Sequence, residues 1–327
     1  MSAMEGFAHP EFLVDTDALQ RRLDDPGLRI FDCTTNLIPD PKTTYQAVPA
    51  RADFERGHIS GAQFIDLQVD LSDQGHRLRF MLPSSEAFAA AMSRFGVGGD
   101  TSVVLYSTAN PWWATRVWWL LHVFGFDRAA VLDGGWQKWS REGRPVATGP
   151  AKPQPPGHFV VREQRPLMVG REEVLRAIGD GAVCTLNALS PEQHTGAGGN
   201  SYGRPGRIKG SVNLPAMHLT DPVTNAFLPA PELRRQFEAV GAFGREVITY
   251  CGGGIAASAD AFALVMLGHS GVKLYDASLS EWANDPTLPM EPADSIYPPG
   301  AHPERHDKEL GTPRKRAPGR YKTKIIF

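Results

Sequence analysis

Val247-Ile248-Thr249-Tyr250-Cys251-Gly252-Gly253-Gly254 is the stretch whose reading settles the architecture of this chain. Four β-branched or aromatic residues predict a strand, three glycines a tight turn, and residues 255–267 a helix. Glycines after a strand let the backbone wrap closely with its N–H groups turned inward, and the helix that follows adds the positive end of its dipole. A thiol held there ionises readily, and thiolate is the reactive form of cysteine. The amides of Gly252, Gly253, Gly254, Ile255 and Ala256 are the expected anion cradle for a reactive Cys251. The competing reading of the same residues is a buried structural cysteine beside a tight turn.

Working outward, the strand and its turn have a counterpart earlier in the chain. Val103-Val104-Leu105-Tyr106-Ser107 matches Val247-Ile248-Thr249-Tyr250-Cys251 at an offset of 144. Gly57-His58-Ile59-Ser60-Gly61-Ala62 matches Gly206-Arg207-Ile208-Lys209-Gly210-Ser211 at 149, and Leu132-Asp133-Gly134-Gly135-Trp136 matches Tyr275-Asp276-Ala277-Ser278-Leu279 at 143. Matches in one order at nearly constant spacing mark a duplicated domain of about 140 residues. Within each copy short β-branched runs alternate with helical patterns, the signature of a parallel sheet covered by helices. The first copy predicts strands over 29–33, 63–65, 103–106 and 129–132, with helices over 16–23, 84–95 and 112–124. The second predicts strands over 183–187, 211–214, 247–250 and 272–275, with helices over 171–178, 230–240 and 255–267. Ligands of open parallel sheets collect at the carboxyl ends of strands, where both Ser107 and Cys251 fall.

These units organise the 327 residues into a first domain over 1–145, a proline- and glycine-rich linker over 146–166, a second domain over 167–290 and a proline-rich, basic tail over 291–327. The tail's Arg314-Lys315-Arg316, Arg320, Lys322 and Lys324 read as a solvated terminal extension that packs along the surface, the alternative being a tail for nucleic acid or an acidic partner. With 42% hydrophobic and 21% charged residues and a net charge of -2, no global attraction to nucleic acid or membrane is expected. Three cysteines without short spacing argue against a disulfide framework or zinc site and for a reducing, cytoplasmic setting. No segment approaches the roughly 20 apolar residues of a membrane span. The acidic first thirty residues do not read as a secretory or transit leader.

Aligned in this way, the sequence resembles the tandem-domain rhodaneses, the sulfurtransferases that act on thiosulfate or 3-mercaptopyruvate. The resemblance spans roughly residues 10–285 and is carried by His58-Ile59-Ser60-Gly61-Ala62, Arg116-Val117-Trp118-Trp119-Leu120, Val131-Leu132-Asp133-Gly134-Gly135, Gly210-Ser211-Val212-Asn213-Leu214-Pro215 and the Cys251 loop. It implies an α/β fold of two rhodanese-like domains, each a parallel sheet flanked by helices. It also implies a catalytically silent first copy with Ser107 at the cysteine position, and a Cys251 persulfide that needs neither metal nor cofactor. The partners implied are a small-molecule sulfur donor and a thiol or cyanide acceptor. In such a site persulfide and thiolate are both anions that one ring of amides stabilises.

The chain departs from the family pattern around that loop. Thiosulfate-using relatives carry basic residues after the cysteine, and 3-mercaptopyruvate relatives carry Cys-Gly-Ser-Gly, whereas this chain has Gly252 and Gly253. The family's Asp-x-Arg and following arginine are replaced by Asn187-Ala188-Leu189-Ser190-Pro191-Glu192-Gln193-His194. Arg204 and Arg207, with Gln193 and His194, are the candidates to bind the donor's anion instead, or else belong to a solvated basic turn. Trp112 and Trp113 are candidates for an aromatic wall that excludes water from the sulfur, or for core; Trp118 and Trp119 read as core. Phosphatases of this fold need an arginine closing the loop, which Gly252 to Ala259 lacks, and no histidine motif supports a cysteine hydrolase. The expected activity is transfer of sulfane sulfur, thiosulfate being the favoured donor. The alternatives are 3-mercaptopyruvate as donor, or a non-enzymatic persulfide carrier or binding module.

Overall fold

The structure is a computed structural model and describes residues 4–40, 44–199 and 202–291. The tail expected beyond 291 lies outside the described residues. Two five-stranded parallel sheets form the frame. The first contains β1 (Leu13–Val14), β2 (Leu28–Asp32), β3 (Ala62–Phe64), β4 (Ser102–Tyr106) and β5 (Ala129–Leu132), in the order β1-β5-β4-β2-β3. The second contains β6 (Met168–Val169), β7 (Val183–Asn187), β8 (Val212–Asn213), β9 (Glu246–Tyr250) and β10 (Val272–Tyr275), in the order β6-β10-β9-β7-β8. The two orders are identical when each copy is counted from its own start, as a duplication requires.

The strands form where β-branched residues run together, and the central ones are buried on both faces: Val247, Ile248, Thr249 and Tyr250 of β9 are all buried. Glycines end the helices. Gly96, Gly125 and Gly268 follow helices Ser85–Arg94, Trp112–Val123 and Ala256–Met266 in left-handed conformations with φ of 76°, 77° and 87°. Ser84 caps its helix by accepting from the N–H of Ala87. Among the elements the sequence did not predict, the most consequential is an antiparallel hairpin, Thr35–Asp40 with Thr44–Pro49, in which Tyr45 pairs with Pro39. Prolines at both strands lower its β signal, and its largely exposed outer residues carry no core pattern. Residues Val146–Ala147, at the start of the expected linker, pair with His58–Ile59, and Phe159 within it is buried.

The helices Trp112–Val123 and Ala256–Met266, equivalent in the two copies, pack against one another, so one apolar core runs through both halves. Trp118 meets Phe262 edge to face at 4.8 Å, and the hydroxyls of Thr115 and Ser258 bond at 2.8 Å in the same seam. Trp118 and Trp119 are both core. Across the seam an aspartate at the end of the last sheet strand of each copy reaches the other half. Asp133 accepts from the N–H of Phe227 at 2.8 Å, and Asp276 from the N–H of Leu82 at 2.7 Å. Burial raises the Asp133 carboxyl to about 6.

Candidate active site

Cys251 follows the last residue of β9, at the carboxyl end of the second sheet, and is 2% exposed. Its residue borders a cavity of about 440 Å³ that both halves line, the first through Thr34, Asn36, Tyr45, Phe80, Trp112 and Trp113. Ser190, Gln193, Tyr202, Met217, Gly253 and Ile255 contribute from the second. The sulfur-bearing residue is packed into the core and yet reaches a cavity, which is the placement a protected nucleophile requires.

The loop is shaped by its carbonyls being drawn away. Cys251 O accepts from Leu279 N at 3.1 Å, and Gly252 O accepts from both Ser280 N at 2.8 Å and Ser280 Oγ at 2.7 Å. The N–H of Cys251 donates to Ser278 Oγ at 3.1 Å, and that hydroxyl donates on to Tyr275 O at 2.8 Å. Ser278 holds this bridge in a left-handed conformation, φ 51°, at the position where the first copy has Gly135 with φ 55°. A non-glycine residue in that region is strained by about 1–2 kcal/mol. Among the described residues, no protein oxygen accepts from the N–H groups of Gly252, Gly253, Gly254, Ile255, Ala256 or Ala257. Six unmet donors at a helix start beside a thiol form a place for an anion.

Two of the three glycines are sterically required. A Cβ on Gly252 would lie 1.9 Å from Cζ of Tyr202, and Gly254, at φ 76°, would bring one to 2.9 Å from Asp276 O. Gly253 has nothing nearer than Ser280 Oγ at 3.8 Å. Beneath the loop Arg116 is fully buried. It pairs with Asp276 at 2.7 Å and donates to the carbonyls of Phe80 and Gly254. Tyr45 and Tyr202 stand edge to face with centroids 6.0 Å apart. Burial chiefly raises both phenols above their ordinary range, with the nearby Cys251 sulfur acting in the same direction, so both remain protonated.

The other sequence candidates are distributed unevenly. Gln193, Trp112 and Trp113 border the cavity. Gln193 also closes a capping box with Ser190. His194, Arg204 and Arg207 do not border it. Burial lowers His194 to about 4, with Arg207 adding to the effect, so its imidazole is neutral. Arg204 donates to the carbonyls of Trp282, Ala283, Asp285 and Leu288 and thereby ties down the chain after the second sheet. Arg207 pairs with Glu291 at 3.3 Å. Tyr45, Tyr202, Ser278 and Arg116 were not among the candidates. Ser278 was visible through its alignment with Gly135, whereas the two tyrosines sit in segments with no periodic signal. Among the described residues, no cluster of His, Cys, Asp and Glu is placed to hold a metal, and no helix is long and apolar enough to cross a membrane.

The family model for the rhodanese-like domain matches this chain twice, over residues 15–142 and 171–285. The chain belongs to the tandem-domain rhodanese family of sulfurtransferases. This rhodanese is similar to the sulfur carrier protein TtuD of Thermus thermophilus, at 33% identity over 300 residues, covering 87% of this chain and 98% of that protein. It is 32% identical to bovine thiosulfate sulfurtransferase over 265 residues, covering 79% of this chain and 85% of the relative. Among solved structures it is similar to the 3-mercaptopyruvate sulfurtransferase SseA from Escherichia coli, with a TM-score of 0.71 and 29% identity over 82% of this chain and 98% of that one. The relatives carry three different functional names, so their similarity gives the class of chemistry and leaves the donor to be argued from the site.

Proposed function

We propose that this rhodanese moves sulfane sulfur through a persulfide on Cys251, with the amides of Gly252, Gly253, Gly254, Ile255 and Ala256 holding the anion. The observation that carries the reading is the set of unmet N–H groups beside the one cysteine that borders the cavity. The Cys251 thiolate attacks the outer sulfur of the donor. For thiosulfate, the donor's S–S bond breaks and sulfite leaves with the electron pair. A thiol or cyanide then attacks the outer sulfur of the persulfide, and the Cys251 sulfur departs as thiolate. Residues 167–290 act as the catalytic domain, residues 1–145 as a silent one that supplies Trp112, Trp113 and Tyr45 to the cavity wall, and 146–166 as the linker. Three unpaired cysteines suit a reducing, cytoplasmic setting.

Thiosulfate is the first donor on this reading, held by amides without help from side-chain cations, since no Arg, Lys or His is among the described residues bordering the cavity. Saturation by thiosulfate is therefore expected to be weak and to weaken further with salt. A donor with less charge on its transferred group, 3-mercaptopyruvate, is the second reading, favoured by the same neutral lining. Exposure to each donor followed by intact mass measurement tests both: a gain of roughly 32 Da, one sulfur, lost on Cys251→Ser, is the expected result. The hydroxyl is a far poorer nucleophile at neutral pH, so Cys251→Ser loses transfer by more than about a thousandfold while its unfolding curve is unchanged. Transfer retained by that variant overturns the assignment.

A further inference from the structure

The cavity in front of Cys251 has an unusual composition for a site that handles anions. Five aromatic side chains, Tyr45, Phe80, Trp112, Trp113 and Tyr202, border it, arranged in part as two edge-to-face pairs. Tyr45 and Tyr202 are 6.0 Å apart, and Phe80 and Trp113 are 5.5 Å apart. The remaining lining is apolar or neutral, and none of the described lining residues is Asp, Glu, Lys, Arg or His. The nearby cation under the loop, Arg116, is turned to Asp276 and to carbonyl oxygens.

When an acceptor thiolate attacks a loaded Cys251, negative charge in this low-dielectric space has to be held at two sulfurs in turn, the incoming one and the departing cysteine. The loop amides can hold one of them. Among the described residues no lining side chain offers a positive charge to the other, and an uncompensated charge in such a medium is costly. Aromatic rings attract cations through their quadrupoles, tryptophan most strongly, and quaternary ammonium groups are well matched to clusters of them. The acceptor can therefore carry the missing positive charge itself.

We infer that the sulfur acceptor of this site is an aminothiol, a small thiol whose own ammonium or quaternary ammonium group lies among Tyr45, Trp112 and Tyr202 while its thiolate faces Cys251. This rests on the persulfide reading above. In the step, the acceptor thiolate attacks the outer sulfur of the protonated Cys251 persulfide. A new S–S bond forms on the acceptor, the Cys251 S–S bond breaks with its electron pair going to the cysteine sulfur, and the proton stays on the transferred sulfur. No oxidant or reductant enters.

The test loads the full-length protein with inorganic polysulfide, which bypasses the donor site, and confirms the adduct on Cys251 by mass. Discharge is then timed with thiocholine, cysteamine, 2-mercaptoethanol and 3-mercaptopropionate at equal thiolate concentration and fixed ionic strength. Thiocholine and cysteamine should discharge the persulfide about tenfold faster than 2-mercaptoethanol, with 3-mercaptopropionate slowest. Trp112→Leu should reduce the thiocholine to 2-mercaptoethanol ratio by severalfold, a ratio that a general loss of folded protein does not move. Equal rates across the series, a faster anionic thiol, or a ratio unchanged in Trp112→Leu overturns the inference and leaves the persulfide reading standing. Failure of Cys251 to load at all removes both.

Discussion

The loops after β4 and β9 occupy the same place in the two copies and differ in where their N–H groups go. In the first copy Thr108 N donates to Thr34 Oγ1 at 3.0 Å, Trp112 N donates to Asn110 Oδ1 at 3.1 Å, and Ser107 Oγ turns to Asn110 O. Pro111, which has no N–H, stands at the helix cap. In the second copy no such side chains are present, and the N–H groups from Gly252 to Ala257 meet no protein acceptor among the described residues. The frame was duplicated, and the loops then diverged by gain or loss of internal acceptors. A loop that caps itself is closed to an anion, whereas one built of glycines is left able to bind it. The silence proposed for the first copy therefore has a cause beyond the absence of a sulfur.

The sharpest way to break this comparison is to make the second loop unable to wrap. Gly254→Ala puts a Cβ on a φ 76° backbone at 2.9 Å from Asp276 O, while Gly253→Ala meets only Ser280 Oγ at 3.8 Å. The first should reduce persulfide loading by about a hundredfold, the cost of displacing a reacting centre by about an ångström. It should also lower stability by about 1–3 kcal/mol. The second should stay within about twofold of the parent, since it adds only a methyl in open space. Loading rates by quenched-flow mass spectrometry and urea unfolding decide it. Equal damage from the two substitutions would mean that the loop's shape is set by something other than the contacts at Gly254.

A smaller effect is expected where the copies exchange glycine for serine. Ser278→Gly reproduces Gly135 of the first copy, removes the backbone strain and deletes the acceptor for Cys251 N. Loss of one hydrogen bond of about 1 kcal/mol should slow loading about five- to tenfold. Relief of strain should leave the thermal midpoint close to that of the parent. Loading unchanged in this variant would remove Ser278 as the residue that positions Cys251.

Much of this frame was legible in the sequence because strand and helix signals repeat at a constant offset. Runs such as Val247 to Tyr250 and glycines such as Gly125 placed the central sheet strands and long helices within one or two residues. What escaped was carried by contacts distant in sequence. Arg204 is a cation on paper, but its guanidinium is taken up by carbonyls some 80 residues later, which composition does not reveal. Tyr45 lies in a hairpin interrupted by prolines, and Tyr202 in a glycine-rich segment. Neither position has a period to read, and their importance comes from meeting each other over Gly252.

The last contrast concerns the paired interface helices, where the offset of 144 sets Arg116 against Asp260. Arg116 has Asp276 as a partner, whereas Asp260 is fully buried with both carboxylate oxygens unpaired among the described residues. Burial pushes its carboxyl well above the ordinary range. A carboxyl raised on folding binds its proton more tightly in the native state, so its contribution to stability is fullest below pH 4 and declines as pH rises toward the folded value. Asp260→Asn removes that decline. Transfer should be unaltered, and the gain in stability over the parent should be small at pH 4 and increase steadily to pH 8. Asp32 and Asp133, both raised to about 6 by burial, add a decline of the same sign over pH 4 to 6. They are present in parent and variant alike, so the difference between the two unfolding curves isolates Asp260. A difference that does not vary with pH would mean that this carboxyl finds a partner in solution, and that the asymmetry between the two helices is smaller than their side chains imply.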